Sequence, residues 1–232
     1  MNGRGIDSHI HLLINIMRLN NYCHLIRFLP VKEQCFSTKR DTWENAENNN
    51  QEFKLINDRL FNDSEQIKIS RQDIFNTDNI KDLIIKTIFW GYPSGMRGNN
   101  FINLINQLNN LEGILNQVKN IENPTFEDYK NLHKQFTTIN GLGLSTYSKI
   151  LYFLNLHFDG KKSLILDSRL IDVFSKSIFE EFKKIRDIKY NNANNFYQEY
   201  LIIMNNLSIE FEVSEENIEL FLFMFGSNLK EL

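Results

Sequence analysis

Two helical patterns joined by a Gly-Leu-Gly turn constrain this 232-residue chain more than any other feature. Residues 141–143 form the turn, and apolar residues at helical spacing precede and follow it. Glycine allows a tight turn because it tolerates a positive φ. The amides at the start of the second helix lack partners within that helix and can bind a phosphate. The sequence therefore predicts a helical hairpin at residues 136–156 with an anion-binding turn.

A single acidic residue follows the next apolar segment. Residues 163–166 lead into Asp167, and apolar residues return at helical spacing from Leu170 onward. An aspartate at such a junction is a favoured N-cap, so a purely structural role is one interpretation. The other interpretation is a catalytic carboxylate beside a DNA-binding hairpin.

Together the turn and the aspartate segment resemble the helix-hairpin-helix DNA glycosylase superfamily. That family has a hairpin of the form Leu-x-Gly-Val-Gly-x-x-Thr-Ala and, further along the chain, the segment Val-Asp-Thr-His-Val. Residues 139–143 (Ile-Asn-Gly-Leu-Gly) match the hairpin, and residues 166–170 (Leu-Asp-Ser-Arg-Leu) match the aspartate segment. The resemblance implies a mainly α, two-lobed fold with the active site in the cleft between helical lobes. It also gives Asp167 the catalytic role.

The same resemblance implies that the hairpin and its surroundings contact DNA. Oxoguanine-type members carry a Schiff-base lysine two positions after the second hairpin glycine, where this chain has Ser145. The serine argues against a covalent lysine mechanism, so we expect a monofunctional enzyme. Lys149 lies one turn further along, and both a surface phosphate contact and an amine nucleophile are open for it. The expected DNA-binding residues are Gly141, Leu142, Gly143, Ser145, Thr146, Lys149 and Arg169.

A Trp-Gly-Tyr-Pro loop at residues 90–93 extends the resemblance upstream. It is similar to the loop of small bacterial proteins of oxoguanine-glycosylase fold, some of which attack modified phage DNA. In the oxoguanine-type enzymes this loop supplies the wedge that fills the gap left by an extruded base. Trp90, Tyr92 and Arg97 are therefore candidates for the wedge or base pocket, with helix-end packing as the alternative for the two aromatic residues. The resemblance covers residues 75–228.

Composition and charge limit the class of protein. Hydrophobic residues make up 42% and charged residues 24%, and no apolar run is long enough to span a membrane. A net charge of −3 weighs against nucleic-acid binding, but residues 130–189 carry eleven basic and six acidic residues. This local excess of basic residues is expected both for a DNA-binding surface and for a helix face that only contacts solvent. The family resemblance implies double-stranded DNA containing a modified base as the partner, and we expect the protein to be a cytoplasmic monomer.

No cofactor or metal is expected. Cys23 and Cys35 do not define a disulfide framework, and with His9, His11 and His24 they match no common zinc-ligand spacing. The chain also lacks a late four-cysteine loop, so the iron–sulfur cluster of some helix-hairpin-helix glycosylases is not expected.

The domain organisation is predicted from a polar stretch at residues 38–51, which is typical of a linker or a mobile loop. Residues 1–50 would then contain an N-terminal helix, at residues 8–29, followed by this linker. Residues 51–232 would form the glycosylase domain. The later helices are predicted at residues 52–61, 78–90, 98–110, 111–120, 125–137, 145–156, 168–182, 192–206 and 214–225.

Other functions remain open at this point. A repair glycosylase for oxidised or alkylated purines fits the same residues. A non-enzymatic DNA-binding module would use the hairpin for phosphate contacts alone. An all-helical protein-interaction domain would use the glycines as loop residues and would not bind DNA.

Overall fold

Residues 17–229 are described by the computed structural model, and they are mainly helical, as predicted. Two short antiparallel ribbons accompany the helices, with β1 (Cys35–Lys39) paired to β2 (Gln66–Ser70) and β3 (His157–Phe158) paired to β4 (Lys161–Lys162). The α-helices are α1 (Cys23–Ile26), α2 (Glu44–Asn49), α3 (Gln51–Phe61), α4 (Arg71–Phe75), α5 (Ile80–Gly91), α6 (Asn100–Ile105), α7 (Leu108–Lys119), α8 (Phe126–Phe136), α9 (Leu144–Phe153), α10 (Ser168–Ser175), α11 (Ala193–Phe211) and α12 (Glu215–Phe221). Shorter 3₁₀ turns cover Leu19–Tyr22, Arg40–Trp43 and Glu180–Ile185, and a π-helical turn covers Leu222–Gly226.

The prediction of a linker at residues 38–51 is wrong. These residues form the end of β1, a 3₁₀ turn, α2 and the start of α3. Trp43 stacks on Phe89 of α5 with ring centres 4.4 Å apart, and it is buried together with Ala46. Two apolar residues thus hold a mostly polar segment against the core. The division of the chain at residue 50 stays a prediction, and the pairing of β1 with β2 across that position argues against it.

The predicted N-terminal helix lies largely outside the described residues. Its last part, residues 17–29, forms a 3₁₀ turn followed by the short helix α1. The predicted helix at residues 168–182 is also shorter in the structure, because α10 ends at Ser175 and Ser177 adopts a left-handed conformation with φ +52°. Helix α8 begins at Phe126, and Thr125 caps it as predicted, because its hydroxyl accepts from the Asp128 amide in a capping box.

A network of buried hydroxyl groups fixes the hairpin from beneath. The hydroxyls of Tyr129 on α8 and Tyr147 on α9 both donate to Asn194 Oδ1 on α11, at 2.6 and 2.9 Å. The Tyr147 hydroxyl also lies 3.0 Å from His133 Nδ1. Burial lowers the pKa of His133, which favours the neutral form of its ring. Helices α8 and α9 are thereby held in a fixed relation to α11.

Helix α5 lies in the centre of the hydrophobic core. Its residues Ile84, Ile85 and Ile88 are fully buried, and the helix packs against α9 and β1. The end of α5, which contains Trp90 and Gly91, therefore meets the hairpin helix, and this brings Tyr92 and the loop that follows it to the turn. Among the described residues no helix is both long and apolar enough to cross a lipid bilayer.

Candidate active site

The hairpin turn between α8 and α9 requires glycine at its first glycine position. Gly141 has φ +89°, and a Cβ built there would lie 2.2 Å from the backbone carbonyl oxygen of Asn100 on α6. Real atoms do not approach so closely, so a side chain at this position would displace the turn or α6. The prediction that glycine permits a tight turn here is confirmed.

Gly143 has a different role and does not adopt a positive φ. This residue is the N-cap of α9, with φ −87° and ψ 169°, an extended conformation that any residue adopts. Because glycine has no side chain to accept a hydrogen bond, the first amides of α9 have no side-chain cap. The exposed start of α9 is thus able to donate to an anion.

Asp167 caps α10 beside the hairpin helix. Its Oδ1 accepts from the backbone N–H groups of Arg169 and Leu170, at 3.0 and 3.2 Å. The N–H of the preceding Leu166 donates to Ser148 Oγ on α9, at 3.1 Å. Asp167 is 9% exposed, and both capping bonds use the same oxygen, so Oδ2 remains outside the cap. The predicted N-cap is confirmed, and it places the carboxylate next to the hairpin.

Two tyrosines of α11 hold the segment that leads to Asp167. The hydroxyl of Tyr197 donates to the carbonyl of Leu164 at 2.8 Å, and the hydroxyl of Tyr200 donates to that of Ile165 at 2.9 Å. Residues 163–166 are completely or almost completely buried between α9 and α11. The backbone before Asp167 is therefore fixed on both sides, which restricts the position of the carboxylate.

Several of the predicted site residues meet where α5 ends against α9. The hydroxyl of Tyr92 lies 2.8 Å from Thr146 Oγ1 and donates to Ser145 Oγ at 3.3 Å. The amine of Lys149 donates to the carbonyl and the hydroxyl of Ser145, at 2.8 and 3.0 Å. It also lies 5.3 Å from the centre of the Tyr92 ring. Tyrosine, serine, threonine and lysine thus form one contact cluster at the start of the hairpin helix.

Lys149 does not lie on the surface, so the interpretation as a surface phosphate contact is wrong. Its side chain is 4% exposed. A Cβ on Gly91 would lie 2.9 Å from Lys149 Cδ and 3.0 Å from Cε, so the glycine at the end of α5 leaves room for the lysine. The amine nucleophile remains the other interpretation. In the structure the amine acts as a hydrogen-bond donor to Ser145.

Burial also separates the other predicted DNA-binding residues into two groups. The side chains of Leu142 and Thr146 are buried and unable to reach a duplex. Four residues lie at or near the surface and are able to contact DNA: Gly141, Gly143, Ser145 and Arg169. The DNA contacts of Leu142 and Thr146 are therefore limited to what their backbone amides provide.

Trp90 is a core residue, as the packing alternative predicts. It is 3% exposed, and its indole N–H donates to the carbonyl of Gln34 at 3.1 Å. Its ring makes edge contacts with Phe36 and Phe153, each with centres 5.4 Å apart. A side chain packed on all sides is not available as a wedge.

The loop that follows α5 exposes Arg97. This residue lies between Gly95 and Gly98, which have φ +93° and +60° and permit the sharp turns of the loop. Tyr92, at the other end of the loop, is half-buried and bound to the hairpin. Of the three wedge candidates, Arg97 is therefore the one whose side chain extends into solvent.

A surface pocket of about 580 Å³ lies at the start of α10, next to Asp167 in the sequence. Within it the guanidinium of Arg169 lies 4.7 Å from the centre of the Phe223 ring, a cation–π contact. The pocket is lined by Ser168, Arg169, Asp172, Phe223, Met224, Ser227 and Asn228. The predicted cleft between two lobes stays a prediction.

One buried ion pair was not predicted from the sequence. Arg71 of α4 and Glu219 of α12 are 0% and 1% exposed, and Arg71 Nη1 donates to Glu219 Oε2 at 2.7 Å. Arg71 also donates to the Tyr152 hydroxyl at 3.0 Å. Burial raises the pKa of Glu219; Arg71 opposes this shift, and the nearby charge of Asp167 adds to it. The sequence contains one sign of this pair, which is a glutamate among the apolar residues 218–225. A charged residue in such a run is buried only together with a partner.

The residues considered as zinc ligands do not form a site in the described part of the chain. Cys23 and Cys35 are free thiols, and residues 17–229 contain no group of three His, Cys, Asp or Glu side chains able to hold a metal ion. His9 and His11 lie outside the described residues.

A family model described as Putative 8-oxoguanine DNA glycosylase OGG-like protein matches residues 29–223. The match includes the hairpin, the Asp167 segment and both partners of the buried ion pair. The chain belongs to this family. It matches no curated protein and no solved structure.

Membership in the OGG-like family confirms the resemblance seen in the hairpin and aspartate motifs. The match begins at residue 29, well before the expected residue 75, so residues 29–74 belong to the family region as well. At this level the family supports DNA binding and base excision, the general activity of a DNA glycosylase.

Proposed function

We propose that the protein is a monofunctional DNA glycosylase. It extrudes a modified base from double-stranded DNA, hydrolyses the N-glycosidic bond and leaves an abasic site. The position of Asp167 carries this proposal: two backbone amides fix the carboxylate, and the Leu166–Ser148 hydrogen bond ties its segment to the hairpin helix. Family membership supports the same reaction class.

The chemistry needs one well-placed carboxylate. Breaking the bond between the base and C1′ leaves positive, oxocarbenium-like charge on the deoxyribose, and a nearby carboxylate stabilises that charge. The base leaves with the bonding electron pair; water then forms the new bond to C1′, and the carboxylate accepts the proton that the water loses. Oδ2 of Asp167 is the oxygen for this role, because Oδ1 is held by the amides of Arg169 and Leu170.

Extrusion of the base requires further contacts with the duplex. Removing a base from the stack costs a few kcal/mol, and the vacated space must be filled. We assign the filling role to Arg97, whose exposed guanidinium is able to hydrogen-bond the unpaired partner base or a phosphate. The uncapped amides at the start of α9, next to Gly143, bind a backbone phosphate of the same strand.

Reduction with borohydride should trap no covalent adduct between the protein and its modified DNA substrate. Ser145 occupies the position of the Schiff-base lysine, and the buried amine of Lys149 donates to Ser145. The measurement is denaturing gel electrophoresis of the reduced mixture, with base release recorded in parallel.

A Lys149→Gln variant serves as the matched control for that experiment. An adduct with the native protein that disappears in the variant would identify Lys149 as a nucleophile and reject the monofunctional mechanism. Because Gly91 leaves space for a long side chain here, glutamine fits the same volume.

The experiment that tests the proposed activity is mass spectrometry of free bases released from a panel of DNAs. Phage DNA with bulky modified cytosines is the substrate class we propose to test first, since the loop at residues 90–93 resembles that of antiphage proteins with this fold. Duplexes with oxidised or alkylated purines test the repair alternative. Release from only the second set would assign the protein to repair.

The runner-up is a non-enzymatic DNA-binding module. It predicts DNA binding with no base released from any member of the panel. Absence of DNA binding at low salt would instead favour an all-helical protein-interaction domain.

A further inference from the structure

Tyr190 is an exposed aromatic residue on an ordered loop. It lies between the 3₁₀ turn Glu180–Ile185 and α11 and is 65% exposed. Ile188, two residues earlier, is fully buried. The side chain of Asn192 accepts from the Lys189 N–H at 2.6 Å and donates to the Asp187 carbonyl at 3.3 Å. The loop is thus anchored on both sides of a ring that remains in solvent.

The hydroxyl of Tyr190 lies at the hairpin. It is 3.5 Å from the point that a Cβ on Gly143 would occupy. Partial burial raises the pKa of Tyr190, and Tyr92 raises it further. Tyr92 is bound to Ser145 and Thr146 on α9. The start of α9 therefore has tyrosine side chains from two separate segments beside it.

We propose that Tyr190 is a DNA-contacting residue whose ring packs against the sugar or base of the nucleotide next to the phosphate at the start of α9. The inference rests on the proposed function. Aromatic rings on which bases stack strengthen the binding of single-stranded nucleic acid with little dependence on sequence, and an extruded or unstacked nucleotide offers the same surface. Arg186 and Lys189 are exposed on the same loop and are able to contact the adjacent phosphates. An exposed aromatic ring beside exposed basic side chains is suited to binding DNA.

The test compares the affinity of three variants for an undamaged duplex by fluorescence anisotropy. Tyr190→Ala should weaken binding about tenfold, while Tyr190→Phe should retain most of the affinity because the ring remains. Phe28→Ala is the matched control, since Phe28 is an exposed ring elsewhere on the chain, following α1. Removing a ring releases no counterions, so Tyr190→Ala should leave the salt dependence of binding unchanged.

Wild-type affinity in Tyr190→Ala would overturn the inference while leaving the proposed glycosylase intact. Absence of DNA binding by the native protein would overturn both. A native dimer that Tyr190→Ala converts to a monomer, measured by sedimentation, would show that the ring contacts a second copy of the chain, and it would also overturn the inference. Thermal melting confirms that each variant folds, which the exposure of Tyr190 leads us to expect.

Discussion

Replacing Asp167 with asparagine should slow base release at least about a hundredfold while leaving DNA affinity within about twofold of the native value. The substitution removes the negative charge that stabilises the oxocarbenium-like sugar. Asparagine is itself a favoured N-cap, so the amides of Arg169 and Leu170 keep an acceptor and α10 keeps its start. Single-turnover release of the free base and anisotropy with the same duplex measure the two effects separately.

Two further substitutions control this experiment. Asp172→Asn changes a partly exposed aspartate of the same helix, which pairs with Lys176, and it should leave the rate of release unchanged. Asp167→Ala should show the same loss of activity and, in addition, a loss of about 1 kcal/mol of stability from the missing cap. If Asp167→Asn released bases at the native rate, the catalytic assignment would be wrong.

Gly141→Ala should lower the free energy of unfolding by about 2–5 kcal/mol, from backbone strain together with overpacking. The alanine would have to adopt a positive φ, and its Cβ would meet the Asn100 carbonyl at 2.2 Å. For a domain of this size the midpoint of thermal unfolding should fall by about 5–15 °C. Calorimetry or circular dichroism measures the shift.

Gly143→Ala provides the matched comparison within the same turn. Its φ is −87°, and the nearest atom to the new Cβ is the Tyr190 hydroxyl at 3.5 Å, an ordinary contact. The loss of stability should stay below about 1 kcal/mol, the cost of an alanine at an N-cap. Equal melting temperatures for the two variants would contradict the different roles that we give the two glycines.

The sequence was informative where a structural requirement is local. The turn at Gly141 and the cap at Asp167 depend on backbone conformation and on hydrogen bonds to residues two or three positions away, and both predictions are confirmed. The predicted helices at residues 52–61 and 125–137 also agree closely with α3 and α8, since they depend on apolar spacing and caps. The family resemblance was carried by the same local motifs.

Predictions failed where distant residues decide the outcome. Lysine is usually a surface residue. The burial of Lys149 depends on the absence of a side chain at Gly91, which lies on another helix. The stretch at residues 38–51 is polar overall, but the ring of Trp43 stacks on Phe89 in the core. Composition alone does not reveal either contact, because each partner lies far away in the sequence.

The ion pair between Arg71 and Glu219 determines how much of the chain a stable fragment needs. Its partners lie 148 positions apart, and both are enclosed by the core. A fragment beginning at residue 75 would keep the hairpin and Asp167, yet it would leave a carboxylate without its counter-ion in an apolar interior. Any shortened version intended to excise bases therefore has to begin before α4.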